Sequence, residues 1–146
     1  RHWQVNEIIR ELQPPLPVLP VGEHISEIID VYSRFIVGWS LQNSLDASHC
    51  IEVLQQAIAT YGAPEIINSD QGSQFTCKVW FDACAQHPQM KISMDGRGRA
   101  KDNIWIERFW KTIIYEYIYL LPEENGTKLY SRIIRFIDNY NYHRRH

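Results

Sequence analysis

Two acidic residues on separate stretches of this chain, Asp70 and Glu107, are of the type that divalent-metal chemistry requires. Asp70 lies in Asn68-Ser69-Asp70-Gln71-Gly72-Ser73-Gln74-Phe75, where the short stretch Glu65 to Asn68 runs out into a glycine-containing turn. Glu107 lies between Asp102 and Trp110, inside a strongly helical pattern. Thirty-six residues, 71 to 106, separate the two acids. Local helix pairing, which joins residues three or four apart, therefore does not account for the pair. Hard oxygen ligands, few in number and held on rigid elements, suit Mg²⁺ or Mn²⁺ and the phosphoryl transfer such ions promote. Each acid also has a plainer reading. Asp70 is a residue type that closes turns before glycine, and a lone Glu on a helix is most often solvated.

The elements that must position these acids follow from pattern. His2 to Arg10 reads as a first strand. Gln13 to Gly22 carries Pro14, Pro15, Pro17 and Pro20, which excludes a helix or a central strand and predicts an extended loop or edge connection. Ile25 to Ile29 and Phe35 to Leu41 are apolar runs flanking a hairpin connection, Asp30 to Arg34, with Asp30 as a turn residue. Asp46 to Tyr61 predicts a helix, with Cys50, Val53, Leu54, Ala57 and Ile58 on one apolar stripe and Gly62 as the stop. A short buried strand (Glu65 to Asn68), a short helix (Val79 to Gln86) and a fifth strand (Lys91 to Ser93) come next. Asn103 to Tyr119 predicts a long helix N-capped by Asp102. Lys128 to Tyr140 predicts a last helix that packs Leu129, Ile133, Phe136, Ile137 and Tyr140 inward. This order predicts an α/β domain: a mixed five-stranded sheet with helices on both faces.

Bulk composition points to one intracellular domain. The chain has 146 residues, 45% apolar and 22% charged, enough for one sizeable core. No apolar run approaches the roughly 20 residues that cross a bilayer. Cys50, Cys77 and Cys84 are odd in number and lack metal-ligand spacing, so free buried thiols are expected. The net charge is -2, which counts against a nucleic-acid partner, yet Lys91 to Lys111 carries a local excess of three positive charges. A basic patch beside an acidic metal site suits a phosphate backbone.

Five blocks of the chain carry a resemblance: Trp3-Gln4-Val5-Asn6, Ile28 to Trp39, Asn68 to Phe75, Ile92 to Thr112, and Tyr140 to His146. In content and order they resemble the catalytic core of bacterial insertion-sequence transposases of the DDE class, relatives of retroviral integrases. The likeness spans nearly the whole chain and implies a ribonuclease-H-like fold, with residues 1–146 as one catalytic core. A chain that opens at Arg1 without methionine reads as a piece of a longer protein, and the resemblance implies a DNA-end-recognition region upstream. It also implies that position 6, Asp70 and Glu107 converge on two Mg²⁺ or Mn²⁺ ions. There water would free a DNA 3′ end, and that 3′-hydroxyl would attack a target strand. The implied partners are DNA, as transposon ends and target, and further copies of the chain assembled on it. No membrane is involved. The implied location is the bacterial cytoplasm, on the nucleoid when DNA is bound.

One departure matters most. The family's first catalytic aspartate falls three residues after the tryptophan, and here that position is Asn6. Neighbouring Glu7 cannot simply substitute, because adjacent strand residues face opposite sides of a sheet. A one-residue slip that brought Glu7 inward would also turn over every other side chain of the strand. The interval from Asp70 to Glu107 is one residue longer than the family's. The extra residue is assigned to Gln86–Gln89, where Pro88 forbids regular helix. Near the acids, Asn103, Glu107 and Lys111 fall on one helix face. The glycine-containing loop Met94 to Arg99 leads into Lys101, so Arg97, Arg99, Lys101, Asn103 and Lys111 are the candidate DNA contacts.

Two functions of different class follow. The first is a transposase or integrase core for two-metal DNA cleavage and 3′-hydroxyl strand transfer, with activity weakened or lost because a neutral amide stands at position 6. The second is a catalytically silent module that binds DNA or assembles a multimer. A nuclease of the same fold is disfavoured, since the Ser93 to Arg99 and Tyr140 to His146 blocks resemble transposases specifically.

Overall fold

The computed structural model describes residues 1–9, 24–42, 46–94 and 126–143. The predicted proline-rich loop and the predicted helix Asn103 to Tyr119 lie outside these residues. Five strands form one sheet: β1 (His2–Ile9), β2 (His24–Asp30), β3 (Ile36–Gln42), β4 (Ile66–Ser69) and β5 (Lys91–Met94). Their order is β3-β2-β1-β4-β5. The pairs β1–β2 and β2–β3 are antiparallel, while β1–β4 and β4–β5 are parallel. The expected mixed five-stranded sheet is therefore present.

The hairpin between β2 and β3 is closed by the predicted turn residue. Asp30 Oδ1 accepts the backbone N–H groups of Tyr32 at 3.0 Å and Ser33 at 3.4 Å, and Arg34 takes a left-handed φ of 67°. Helix α1 (Ala47–Tyr61) begins one residue after the predicted start, because Asp46 is its cap and not its first turn. The Asp46 carboxylate accepts the Ser48 N–H at 3.0 Å, and this bond holds its pKa below the ordinary value. At the other end Gly62, with φ of 85°, donates its N–H to Ile58 O at 2.8 Å.

The register of β1 sorts its side chains. Trp3 and Val5 pair with Ile67 and Ile28 respectively, and all four belong to the core cluster that contains α1 residues Cys50, Val53, Leu54 and Ala57. Helix α1 comes down onto β3 at Gly38, where an added Cβ would lie 2.9 Å from Val53 Cγ1. Helix α3 (Lys78–Ala85) closes the same layer with Trp80 and Cys84. Between β4 and α3 a four-residue helix, α2 (Ser73–Thr76), was not expected; it forms where Phe75 donates its N–H to Gly72 O at 2.9 Å. The turn after α3 contains Pro88, as the sequence required.

The opposite face is covered at the β3 edge by α4 (Gly126–His143), which extends past both predicted ends. Trp39 alternates with Gly38 and so points away from α1, meeting Tyr130 at 5.1 Å between ring centroids. Ile133, Ile137 and Tyr140 are buried as expected, whereas Phe136 is only half-buried; the Leu129 side chain lies outside the described set. Asn141 fastens this helix to the open edge of the sheet. It accepts from Ile36 N at 2.9 Å and donates to Ile36 O at 3.0 Å. Among the described residues, no helix is long and apolar enough to cross a membrane. The three cysteines are free, with Cys50 and Cys84 buried and Cys77 half-buried.

Two stability effects follow. Asn141→Ala leaves an edge peptide without its side-chain partners and should lower unfolding free energy by about 1–3 kcal/mol in urea titrations. Burial pushes the Cys84 thiol up from 9.0 to about 11. The unfolded chain then loses this proton before the folded one does. The stabilisation is complete below pH 9 and disappears as pH rises through 11. Urea midpoints should fall between these values, and Cys84→Ala should flatten the fall.

Candidate active site

Asp70 is the first residue after β4 and is exposed, at the end of a strand whose neighbouring residues Asn68 and Ser69 are buried. Its backbone trajectory is fixed on both sides. Upstream, Ile67 is in the core; downstream, Phe75 is wholly buried and meets Trp80 edge-to-face at 5.1 Å. The turn between these anchors is held by the acid itself, since Gly72 donates its N–H to Asp70 Oδ1 at 2.7 Å. Asp70 is thus the turn aspartate of the plainer reading, but the turn uses one carboxylate oxygen and leaves a second for another role. Gly72 leaves room for this seat. A Cβ there would lie 2.9 Å from Asp70 Oδ1 and 2.7 Å from Gln74 Oε1.

Asn6 stands on β1, half-buried, on the face opposite Trp3 and Val5. Gln4 pairs with Asn68 at the end of the parallel β1–β4 register; Asn6 lies two residues further along β1, and Asp70 two residues further on, in the turn after β4. The first two predicted site positions thus both follow the end of the β1–β4 pairing. Glu107, the third, lies outside the described residues, as do Arg97, Arg99, Lys101, Asn103 and Lys111. Among the described residues, no group of three His, Cys, Asp or Glu side chains could hold a metal ion.

A row of polar side chains crosses three strands on this face. Asn68 Nδ2 donates to Gln4 Oε1 at 2.6 Å, and Gln4 Nε2 donates to Asn6 Oδ1 at 3.4 Å. Asn6 Nδ2 in turn donates to Glu27 Oε1 at 3.4 Å. Glu27 is directly opposite Asn6 in the β1–β2 register and is 0% exposed. Sequence reasoning passed over Glu27 as part of an apolar run. A signal was present: positions 25, 27 and 29 share one strand face, and Glu27 is flanked there by two isoleucines. An acid so placed is buried with an interaction or is not in a strand.

Asp70 offers a carboxylate and Asn6 an amide carbonyl, both hard oxygens. Cys50 belongs to the opposite core layer. This chemistry fits Mg²⁺ or Mn²⁺ and disfavours a thiolate-bound metal.

Residues 20–100 match the Integrase core domain family, and a second family of the same description matches residues 88–146. The chain belongs to the integrase core domain family. Its sequence relatives include the transposase InsF for insertion sequence IS3A of Escherichia coli K12, 26% identical over 126 residues that make up 84% of this chain and 43% of that protein. The transposase for insertion sequence element IS904 of Lactococcus lactis is 28% identical over 147 residues, 93% of this chain and 58% of that protein. The chain thus spans about half the length of these transposases. In fold it is similar to the HTLV-2 integrase catalytic core domain solved in complex with magnesium, with a TM-score of 0.71 at 17% identity over 98% of this chain and 87% of that one. A chain of the simian T-cell lymphotropic virus intasome gives a TM-score of 0.74 at 19% identity, over 98% of this chain and 49% of its own length. The expected ribonuclease-H-like integrase fold and the DDE-transposase resemblance both hold.

The integrase-core turn generates one test of its own. Gly72→Ala should displace the Asp70 carboxylate, cost roughly 1 kcal/mol through the lost Oδ1 bond, and speed hydrogen exchange at the residue 72 amide.

Proposed function

We propose that this integrase core is the catalytic domain, spanning residues 1–146, of a DNA strand transferase of the insertion-sequence type. On this reading Asp70, Glu107 and Asn6 hold the metal, and the amide at position 6 makes the site weaker than one with three acids. The observation that supports the reading is the parallel pairing of β1 with β4, which ends at Gln4 and Asn68, two residues before position 6 and Asp70 respectively.

Mg²⁺ or Mn²⁺, when bound, would supply Lewis-acid stabilisation of charge at the phosphorus centre. The chain's own residues supply the rest. Asp70 is presented outside the sheet by a turn that its own carboxylate closes, so it meets a ligand with little reorganisation. Asn6 contributes a carbonyl oxygen without charge, which lowers cation affinity relative to a carboxylate. Arg97, Arg99, Lys101, Asn103 and Lys111 would contact the DNA backbone, giving binding that weakens steeply with salt. The DNA substrates are transposon ends and a target duplex, and the working form is a multimer of this chain on DNA, in the cytoplasm.

The second reading, a silent DNA-binding or assembly module, is favoured by the neutral side chain at position 6 itself. One assay separates the two: Mn²⁺-dependent joining of a pre-cleaved DNA end to a target duplex. The expected result is low but measurable joining by this chain, reduced to the no-metal background by Asp70→Asn and by Glu107→Gln. DNA binding without joining in any metal would make the silent module the better account.

A further inference from the structure

We propose that the exposed aromatic cluster of Phe35, Tyr61 and Tyr142 is a docking site for a polyproline segment, and that its occupant is the proline-rich run Pro14–Pro20 of a second copy of this chain. The inference is independent of the metal-site reading and names a contact through which copies of the chain join.

The cluster is assembled from three elements. Phe35 follows the hairpin turn that leads into β3, Tyr61 is the last residue of α1, and Tyr142 lies at the end of α4. Both tyrosine rings stand nearly perpendicular to the Phe35 ring, at 74° and 79°, with centroids 5.7 and 5.8 Å away. The arrangement is held from behind. Asn141 bonds both backbone polar groups of Ile36, which fixes their neighbours Phe35 and Tyr142 side by side, and the Arg1 guanidinium donates to Tyr61 O. The tyrosines nevertheless face solvent, with Tyr61 37% and Tyr142 69% exposed. Contiguous exposed aromatics held in place like this mark a contact surface.

The chemistry of the cluster fits a polyproline ligand. Such a segment forms an extended left-handed helix without internal hydrogen bonds and docks on aromatic side chains. Proline has no N–H, so the run offers apolar rings and carbonyl acceptors, and its partner must supply donors. Tyr61 and Tyr142 each carry a hydroxyl that donates. Burial, and then the nearby Tyr142 phenol, raise the Tyr61 pKa above its ordinary 10.0, so this group keeps its proton at neutral pH. The chain itself carries such a ligand. Pro14-Pro15-Leu16-Pro17-Val18-Leu19-Pro20 places four prolines in seven positions and holds no charge.

Strand geometry assigns the ligand to another copy. β1 and β2 pair from Trp3 and Asp30 at one end to Ile9 and His24 at the other. The cluster lies beyond Asp30, whereas residues 10–23 connect Ile9 to His24 at the far end. The length of β2 separates the two ends by roughly 20 Å. Pro14 follows Ile9 by five residues and Pro20 precedes His24 by four. Chain reach therefore tethers the ends of the run within about 17 and 14 Å of those residues. An extended run tethered at both ends falls short of the cluster on its own chain. The cluster of a second copy carries no such restriction, and the contact joins unlike surfaces, segment to cluster.

Two measurements test this. A fluorescent peptide of residues 12–22 would be titrated with the full chain and followed by anisotropy. It should bind, and Tyr142→Ala should weaken binding about tenfold or more, as loss of an aromatic anchor does. Tyr61→Phe, which keeps the ring and removes the donor, should weaken it less, and a peptide with Ala at positions 14, 17 and 20 should not bind. In sedimentation velocity, Tyr142→Ala and the double variant Pro17→Ala/Pro20→Ala should each associate less than the parent chain. Their equimolar mixture should recover association, because one supplies the segment and the other the cluster. Thermal melts check folding, and if Tyr142→Ala does not fold, Tyr61→Phe and the two peptides decide. Absence of peptide binding, binding indifferent to both tyrosine variants, or a mixture that associates no better than its components overturns the proposal. So does binding of single-stranded oligothymidylate in place of the peptide, lost in Tyr142→Ala, which would make the cluster a base-stacking platform.

Discussion

The register of β1 against its two neighbours is the constraint on which everything else rests. β1 is antiparallel to β2 and parallel to β4, and the side-chain period of a strand is two. That arrangement puts Trp3 and Val5 into the core with α1, and it puts Gln4 and Asn6 on the other face beside Asn68 and Glu27. A slip of one residue would bury Gln4 and Asn6 against α1 and turn Trp3 out, an exchange whose cost in apolar burial fixes the alignment. Position 6 is therefore held on the polar face by packing on the far side of the sheet.

A face built this way pays for polarity with connection. Gln4, Glu27 and Asn68 are buried, and buried polar groups without partners are costly. The row from Asn68 to Glu27 connects them across three strands, and partial satisfaction of such a network is worse than an apolar surface.

Membership of the integrase core family accounts for the chain's architecture. Asn6 stands directly opposite Glu27 in the β1–β2 pair, and the Glu27 side chain is wholly buried.

Much of this was legible in the residues themselves. The helix over Ala47–Tyr61 followed from an apolar stripe at helical spacing with Asp46 and Gly62 at its ends, and the hairpin followed from Asp30. Asp70 was marked by the turn chemistry around it. These features depend on neighbours a few residues apart, which local sequence carries directly. The four-residue helix at Ser73–Thr76 escaped notice because one backbone bond, from Phe75 to Gly72, and the burial of Phe75 create it. Glu27 escaped for a stronger reason. Its meaning lies in a partner twenty-one residues away, and a sequence does not say which residue of one strand stands opposite which residue of another. The chain alone determined that position 6 is an amide; only strand pairing decided that a buried carboxylate faces it.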